Sequence, residues 1–175
     1  MAQPPLPDSM IRAAGWFAIV SGIISSIGVV FFIGMYVPLI GAPVKALGTT
    51  SGNLNDICVA IQYLLTIPIA LTLHRILLPH NPSLIRIATP IGIASMVAVV
   101  VLQLLLIFKV LTFGQQVGWV SLAMLVGVGS WLIITGLVAR STGKLPNSVV
   151  MSAIAVPYFG YPVWAFWLGL RLLSW

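Results

Sequence analysis

Residues 87–108 read IATPIGIASMVAVVVLQLLLIF, a run of twenty-two residues without a charged side chain between Arg86 and Lys109. A helix needs about 20 apolar residues to cross the hydrocarbon core of a membrane. Because no water reaches that core, the backbone must satisfy its own hydrogen bonds, and a helix does so within one segment. This run therefore predicts a transmembrane helix.

The composition of the whole chain indicates the same environment. Of the 175 residues, 60% are hydrophobic and 6% are charged, and the mean hydropathy is +1.14. Water-soluble domains carry about 25% charged residues. The eight basic residues outnumber the two acidic ones, but they stand singly at the edges of apolar runs. That placement is typical of membrane-flanking anchors and excludes a nucleic-acid-binding surface.

Charged residues divide the chain into five apolar runs. They predict an all-α integral membrane bundle of five transmembrane helices, forming a single domain over residues 1–175, at about 13–36, 55–78, 85–108, 117–139 and 147–170. Residues 37–54 contain two prolines and three glycines, and we expect them to form an irregular loop. Asn81 and Pro82 are a typical cap and first residue of the third helix.

The basic residues also predict an orientation. One end of the predicted bundle collects five of them and the other end three: Arg12, Arg75, Arg86, Arg140 and Lys144 against Lys45, Lys109 and Arg171. Basic residues are enriched on the cytoplasmic side of membrane proteins. The pattern therefore predicts a multi-pass protein of the cell membrane with a cytoplasmic amino terminus and an external carboxyl terminus.

The predicted second helix has a polar face. At 100° per residue, four residues fall within about 40° of one another: Asp56, Tyr63, Ala70 and His74, with Gln62 and Thr66 beside them. The opposite side carries Ile57, Ile61, Leu64, Leu65, Ile69 and Leu71. We expect the polar face to point into the bundle and the aliphatic face to point to lipid.

Residues 156–169, VPYFGYPVWAFWLG, combine two prolines with six aromatic rings. Prolines remove backbone hydrogen bonds, so this run is either a kinked helix with an aromatic belt or a widened, ring-lined site for a flat apolar ligand. Gln62 and Gln103 lie at matching depths, each about 9 Å inside a charged residue. The predicted ligand-binding residues are Gln62, Tyr63, Gln103, Tyr161 and Trp164.

Two further polar residues of the second helix have alternative interpretations. Ala70 and His74 stand one turn apart, which resembles the pigment-ligating pair of bacterial light-harvesting helices, and this makes His74 a possible pigment ligand. The alternative is an interfacial histidine beside Arg75. Asp56 is either a carboxylate that stabilises a helix start or a cation or proton site.

Catalytic patterns are missing from the sequence. It has no paired carboxylates within an apolar run, no His/Glu metal-ligand spacing, no nucleophile elbow and no phosphate-binding glycine loop. We therefore expect no enzyme and no metal site, and the sequence indicates no particular cofactor.

The segments RSTGKLP (140–146) and PVWAFWLG (162–169) resemble late segments of uncharacterised bacterial multi-spanning membrane proteins. This resemblance covers the C-terminal third and implies a helical bundle of the bacterial inner membrane, without an activity.

The function expected from these features is that of an accessory or scaffold subunit. It would pack against membrane lipid and other subunits of a larger assembly, and bind a lipid, quinone or pigment. The alternative is a small-solute or ion transporter or channel that uses Asp56, Gln62 and Gln103.

Overall fold

The computed structural model describes residues 7–36, 44–142 and 157–175. Within these ranges the chain forms six α-helices and one π-helical segment, Ala123–Val128, which joins the fourth and fifth helices. The α-helices are α1 (Asp8–Tyr36), α2 (Val44–Leu77), α3 (Pro82–Ile107), α4 (Phe113–Leu122), α5 (Gly129–Ser141) and α6 (Pro157–Leu173). No strand occurs in the described ranges, and the all-α class is confirmed.

Four helical segments are long and apolar enough to cross a membrane: Asp8–Gly34, Thr50–Leu77, Pro82–Ile107 and Phe113–Ser141. They correspond to the first four predicted spans, and the last of them runs from α4 through the π-helical segment into α5. Their outer faces carry large apolar side chains, such as Val30, 66% exposed, and Ile87, 62% exposed. Contiguous apolar surface of this kind is unusual on a soluble monomer. The chain is a membrane-embedded, multi-pass helical protein.

Helix α2 starts earlier than predicted. It begins at Val44, so the predicted loop is wrong from that residue onward, whereas residues 37–43 lie outside the described ranges. The helix includes Gly48 and Gly52, and a glycine within a helix costs only about 1 kcal/mol. Both prolines of the predicted loop precede Val44 in the sequence. Nothing in the segment after them therefore prevents a helix.

Helix α3 begins as predicted. The Asn81 side chain accepts a hydrogen bond from the backbone N–H of Leu84 (3.2 Å), and Pro82 is the first helical residue. Further along, Gly92 makes room for the ring of Trp131 on α5, since a Cβ added at Gly92 would lie 2.5 Å from Trp131 Cγ. Small residues let membrane helices approach one another in this way.

Helix α6 packs against α1 in the antiparallel direction. The two backbones come close at Gly15 and Gly169. A Cβ added at Gly169 would lie only 2.8 Å from the carbonyl oxygen of Gly15. The first turn of α1 and the last residues of the chain also line one shallow depression, which contains Asp8, Ile11, Arg12, Leu173, Ser174 and Trp175. Both ends of the described chain therefore lie at the same end of the bundle.

This end carries all five arginines, and we call it the arginine end: Arg12, Arg75, Arg86, Arg140 and Arg171. The C-terminal end of α2 lies at the arginine end, because the guanidinium of Arg75 contacts the sulfur of Met10 near the start of α1 (3.8 Å). The opposite end, where α2 begins and α3 ends, carries Lys45 and Lys109, and we call it the lysine end. Lys144 lies outside the described ranges.

The direction of α6 corrects a prediction. Arg171 and the carboxyl terminus were expected opposite the amino terminus, but the structure places them at the arginine end. The direction is shown by contacts at two levels, Gly169 against Gly15 and Tyr161 against Ser21, and charge patterns do not report such contacts. The 17-residue α6 is about 25 Å long, and a fifth complete span at 147–170 is not confirmed, with residues 147–156 outside the described ranges.

Candidate functional site

Helix α2 turns most of its predicted polar face into the bundle. Tyr63 is 2% exposed and Ala70 is fully buried, and Gln62 and Thr66 beside them are buried as well. The predicted lipid side is exposed at Ile57, Ile61, Leu64 and Leu71. These placements confirm the predicted faces. Ile69 is an exception, because it is fully buried, and Asp56 and His74 lie half-buried at the edges of the polar face.

A chain of hydroxyl groups joins α1, α2 and α6 in the middle of the bundle. The Thr66 hydroxyl donates to the carbonyl oxygen of Gln62 (2.7 Å) and hydrogen-bonds the hydroxyl of Tyr161. The Tyr161 hydroxyl in turn hydrogen-bonds Ser21 Oγ (2.7 Å). All these side chains are buried. Because buried polar groups are costly without partners, this chain fixes α6 against the two other helices.

Three of the predicted ligand-binding residues meet beside these hydroxyls as a packed aromatic cluster. The rings of Tyr161 and Trp164 lie 5.4 Å apart, and Tyr63 is 6.5 Å from Tyr161. Trp131 joins them edge-to-face with Trp164, at 6.1 Å and 82°. Such geometry is favourable for aromatic pairs. Since Tyr161 is 2% and Trp164 5% exposed, the cluster fills the core between α2, α5 and α6.

The Tyr161→Phe variant is expected to be less stable by about 1–3 kcal/mol, because Ser21 and Thr66 each lose a buried partner. Thermal unfolding of the purified protein in detergent measures the change. If the hydroxyls act as one unit, Ser21→Ala in the Tyr161→Phe background should cost less than Ser21→Ala alone. Equal melting temperatures of wild type and Tyr161→Phe would contradict a stabilising role for the hydroxyl chain.

Gln103 lies apart from the aromatic cluster, at a cavity of about 730 Å³ near the lysine end. There it accepts a hydrogen bond from the side chain of Gln116 (2.7 Å), and both residues are buried. The cavity wall is mostly apolar and includes Phe32, Val59, Leu106, Leu111, Val120 and Met124. Neither Tyr161 nor Trp164 belongs to it, and neither does Gln62. The five predicted ligand-binding residues therefore do not surround one cavity.

Two residues of opposite charge line this same cavity, Asp56 and Lys109. Asp56 is half-buried, and its carboxylate is hydrogen-bonded by the side chain of Asn55. Asp56 and Arg75 are about 29 Å apart along the axis of α2. This distance is close to the thickness of the hydrocarbon core of a membrane. The polar groups of the cavity thus lie near the membrane boundary at the lysine end, and the apolar wall extends toward the core.

Lys109 adopts the left-handed backbone conformation, with φ 59°. It follows the end of α3, where the N–H groups of Lys109 and Val110 donate to the carbonyls of Leu106 (2.9 Å) and Leu105 (2.8 Å). This is the Schellman arrangement, in which glycine is the usual residue at this position. A lysine there carries a conformational cost that a glycine would avoid.

Sequence reasoning misses Gln116 and identifies Lys109 only as a flanking basic residue. A usable signal was the Thr112-x-x-Gln115 pattern, which is typical of a helix start. In the structure the Gln115 side chain accepts hydrogen bonds from the backbone N–H (3.0 Å) and the hydroxyl (2.9 Å) of Thr112. Helix α4 accordingly begins at Phe113 rather than near residue 117, and this start places Gln116 one residue beyond the capping pair.

His74 lies at a different site, a lipid-facing groove of about 540 Å³ between α1 and α2 at the arginine end. Its Nδ1 atom is buried and has no hydrogen-bond partner in the part of the chain that the structure describes. Among those residues there is also no group of three or more His, Cys, Asp or Glu side chains that could hold a metal ion. The role of His74 as a pigment ligand stays a prediction.

Comparison of the chain with protein-family models, with curated proteins and with solved structures finds no match. The cavity at the lysine end and the groove at the arginine end are therefore the basis on which a function can be inferred.

Proposed function

We propose that the protein is a membrane-embedded binding subunit that holds an amphipathic, lipid-soluble molecule, such as a lipid or a quinone, in the cavity at the lysine end. The cavity itself carries this proposal. Its volume of about 730 Å³ falls within the usual range for small-molecule sites, about 300–1,000 Å³. Such sites combine apolar walls with a few polar groups that fix the orientation of the ligand. Here those groups include Asp56, Gln103, Lys109 and Gln116, and the wall also contains Asn53, Asn55, Thr112 and Ser121.

The backbone of Lys109 supports a role for its side chain. A non-glycine residue in the left-handed region costs about 1–2 kcal/mol, and strained residues of this kind cluster at functional sites. Glycine would remove the strain but would also remove the side chain of a residue that lines the cavity. In this proposal the amino group binds the polar head of the ligand, and Asp56 binds a hydrogen-bond donor or a cationic group of the same head.

We also propose that both termini are cytoplasmic and that the membrane is the bacterial inner membrane. With α6 in the observed direction, five arginines lie at one end and Lys45 and Lys109 at the other. This asymmetry is stronger than the one in the sequence prediction, and it favours a cytoplasmic arginine end. Helix α6 is then a fifth membrane-embedded helix that leaves the membrane on the cytoplasmic side, and the cavity lies near the external boundary.

The Lys109→Gly variant separates binding from stability. We expect it to melt at the same temperature as wild type or higher, because glycine relieves the left-handed strain. We also expect it to retain several-fold less of the bound molecule, measured by mass spectrometry of the apolar compounds that co-purify in mild detergent. Lys109→Arg, which keeps the charge, is the matched control. Unchanged retention in Lys109→Gly would contradict the proposed site.

Transport is the second candidate function, and the observation that favours it is an acidic residue within a membrane-spanning helix that also lines a cavity. Ionisable residues at such positions often mark ion or substrate pathways. Of the three residues expected for this function, Asp56 and Gln103 share the cavity and Gln62 does not. Solute or ion flux in liposomes that disappears in Asp56→Asn would favour transport over static binding.

The accessory role within a larger assembly is part of the same proposal. The exposed apolar faces of α1 and α3 are as suited to neighbouring subunits as to lipid. Purification in mild detergent should therefore yield a partner subunit in fixed stoichiometry. If only lipid accompanies the chain, the protein acts on its own.

A further inference from the structure

The groove at the arginine end is large and apolar enough to take an acyl chain. It runs between the first turns of α1 and the last turns of α2, and its volume is about 540 Å³. Its wall is largely apolar and contains Ala13, Phe17, Pro68 and Leu71. Phe17 is 39% and Leu71 52% exposed, so the groove is open to the surrounding lipid.

The same groove has hydrogen-bonding groups at the membrane boundary. Ser9, His74 and Arg75 all line it. Arg75 is exposed and contacts Met10 Sδ at 3.8 Å, but a thioether is a weak acceptor, so most donors of the guanidinium remain available. The buried Nδ1 of His74 has no partner among the described residues. Since that atom is shielded, a ligand in the groove reaches the imidazole only at another part of the ring.

We propose that this groove binds an anionic phospholipid, with one acyl chain along Phe17 and Leu71 and the phosphate at Arg75 and His74. Charge complementarity identifies the occupant. Arg75 is the charged residue in the wall of the groove, and it belongs to the end that carries all five arginines. Arginine binds phosphate through paired, charge-assisted hydrogen bonds. This site is separate from the cavity at the lysine end, and the proposal does not depend on the function assigned to that cavity.

The test uses the full chain in nanodiscs of phosphatidylcholine that contain a minor fraction of phosphatidylglycerol. Native mass spectrometry after release counts the phosphatidylglycerol molecules that stay bound. We expect wild type to retain one such molecule and Arg75→Gln to bind it at least about tenfold more weakly, because a neutral amide donor replaces the paired, charge-assisted hydrogen bonds of arginine. His74→Phe should also weaken retention, because the phenyl ring offers no polar atom to the phosphate.

Arg140→Gln is the matched control, since Arg140 is an exposed arginine at the same end but lies on α5, outside the groove. It should retain phosphatidylglycerol as wild type does. Equal losses in Arg75→Gln and Arg140→Gln would show that the arginine end attracts anionic lipid only in general, and would overturn the proposed site. Inorganic phosphate should displace the lipid only at concentrations far above that of the lipid, because it lacks the acyl chain, and displacement at equal concentration would also overturn the proposal.

Discussion

A green fluorescent protein fused after Trp175 is expected to be fluorescent in the cytoplasm, and alkaline phosphatase fused at the same position is expected to be inactive. Alkaline phosphatase needs disulfides, which form in the oxidising periplasm and not in the cytoplasm. The physical basis is the packing of α6, which brings Leu173, Ser174 and Trp175 next to the first turn of α1. The carboxyl terminus must therefore lie on the same side of the membrane as Arg12.

Two further fusions complete the experiment. A reporter before Asp8 should give the cytoplasmic result, and a sandwich fusion at Val110, at the lysine end, should give the external result. The pattern that would contradict the structure is an external Trp175 together with a cytoplasmic amino terminus. In that case Gly15 would not pack on Gly169 in the membrane, and the charge-based prediction of opposite termini would be correct.

The error about α6 has an identifiable physical source. The prediction placed Arg171 by assuming that each apolar run crosses the membrane once, and a single arginine near the chain end could not correct that assumption. The direction of α6 depends on contacts between residues far apart in the sequence, such as the close approach of Gly15 and Gly169 and the hydrogen bond between Ser21 and Tyr161. Each is visible as a small residue, but which helix packs on which is a tertiary property that one sequence does not contain.

Other parts of the fold follow directly from local patterns. The charge-free runs predict the four spans because the hydrocarbon core excludes charge. The polar face of α2 is predicted correctly at Tyr63 and Ala70 because helical periodicity is a local property. Burial of Ile69 was missed because α2 contacts helices on more than one side, so its buried surface is wider than the polar face.

The candidate site was predicted only in part. Gln103 does line a cavity, but the rings of Tyr161 and Trp164 pack with each other, and Trp164 packs with Trp131, instead of lining it. The sequence shows that these residues are polar or aromatic and lie at comparable depths. It does not show whether they surround a space or fill one, because that depends on the distances between helices. The left-handed conformation of Lys109 is likewise visible only in the structure.

The π-helical segment between α4 and α5 sets one of those interhelical distances. The Ser130 hydroxyl donates to the carbonyl oxygens of Val126 and Gly127, which supports the irregular backbone there. Gly127 lies directly against Ser95 of α3, so that a Cβ added at Gly127 would lie 1.7 Å from Ser95 Oγ and 2.3 Å from Ser95 Cβ. Since Ser95 Cβ is attached to the backbone, no rotation of the serine side chain can relieve that second contact.

Gly127→Ala is therefore expected to destabilise the protein by about 1–3 kcal/mol or more, the usual cost of overpacking a close contact. Thermal unfolding in detergent should show a melting temperature lower by several degrees. Gly118→Ala is the matched control on α4, where an added Cβ meets nothing within 4 Å, and it should leave stability unchanged or raise it.

A second substitution distinguishes a clash with Ser95 from a direct effect of alanine on the π-helical backbone. Ser95→Gly removes both clashing atoms and leaves Ser95 Cα at 3.7 Å, an ordinary contact distance. The double variant Ser95→Gly/Gly127→Ala should thus melt above Gly127→Ala, even though glycine in α3 costs about 1 kcal/mol by itself. If the two substitutions lower stability additively in the double variant, alanine disturbs the π-helical backbone directly. The approach of Gly127 to Ser95 then does not set the spacing between α3 and the fourth span.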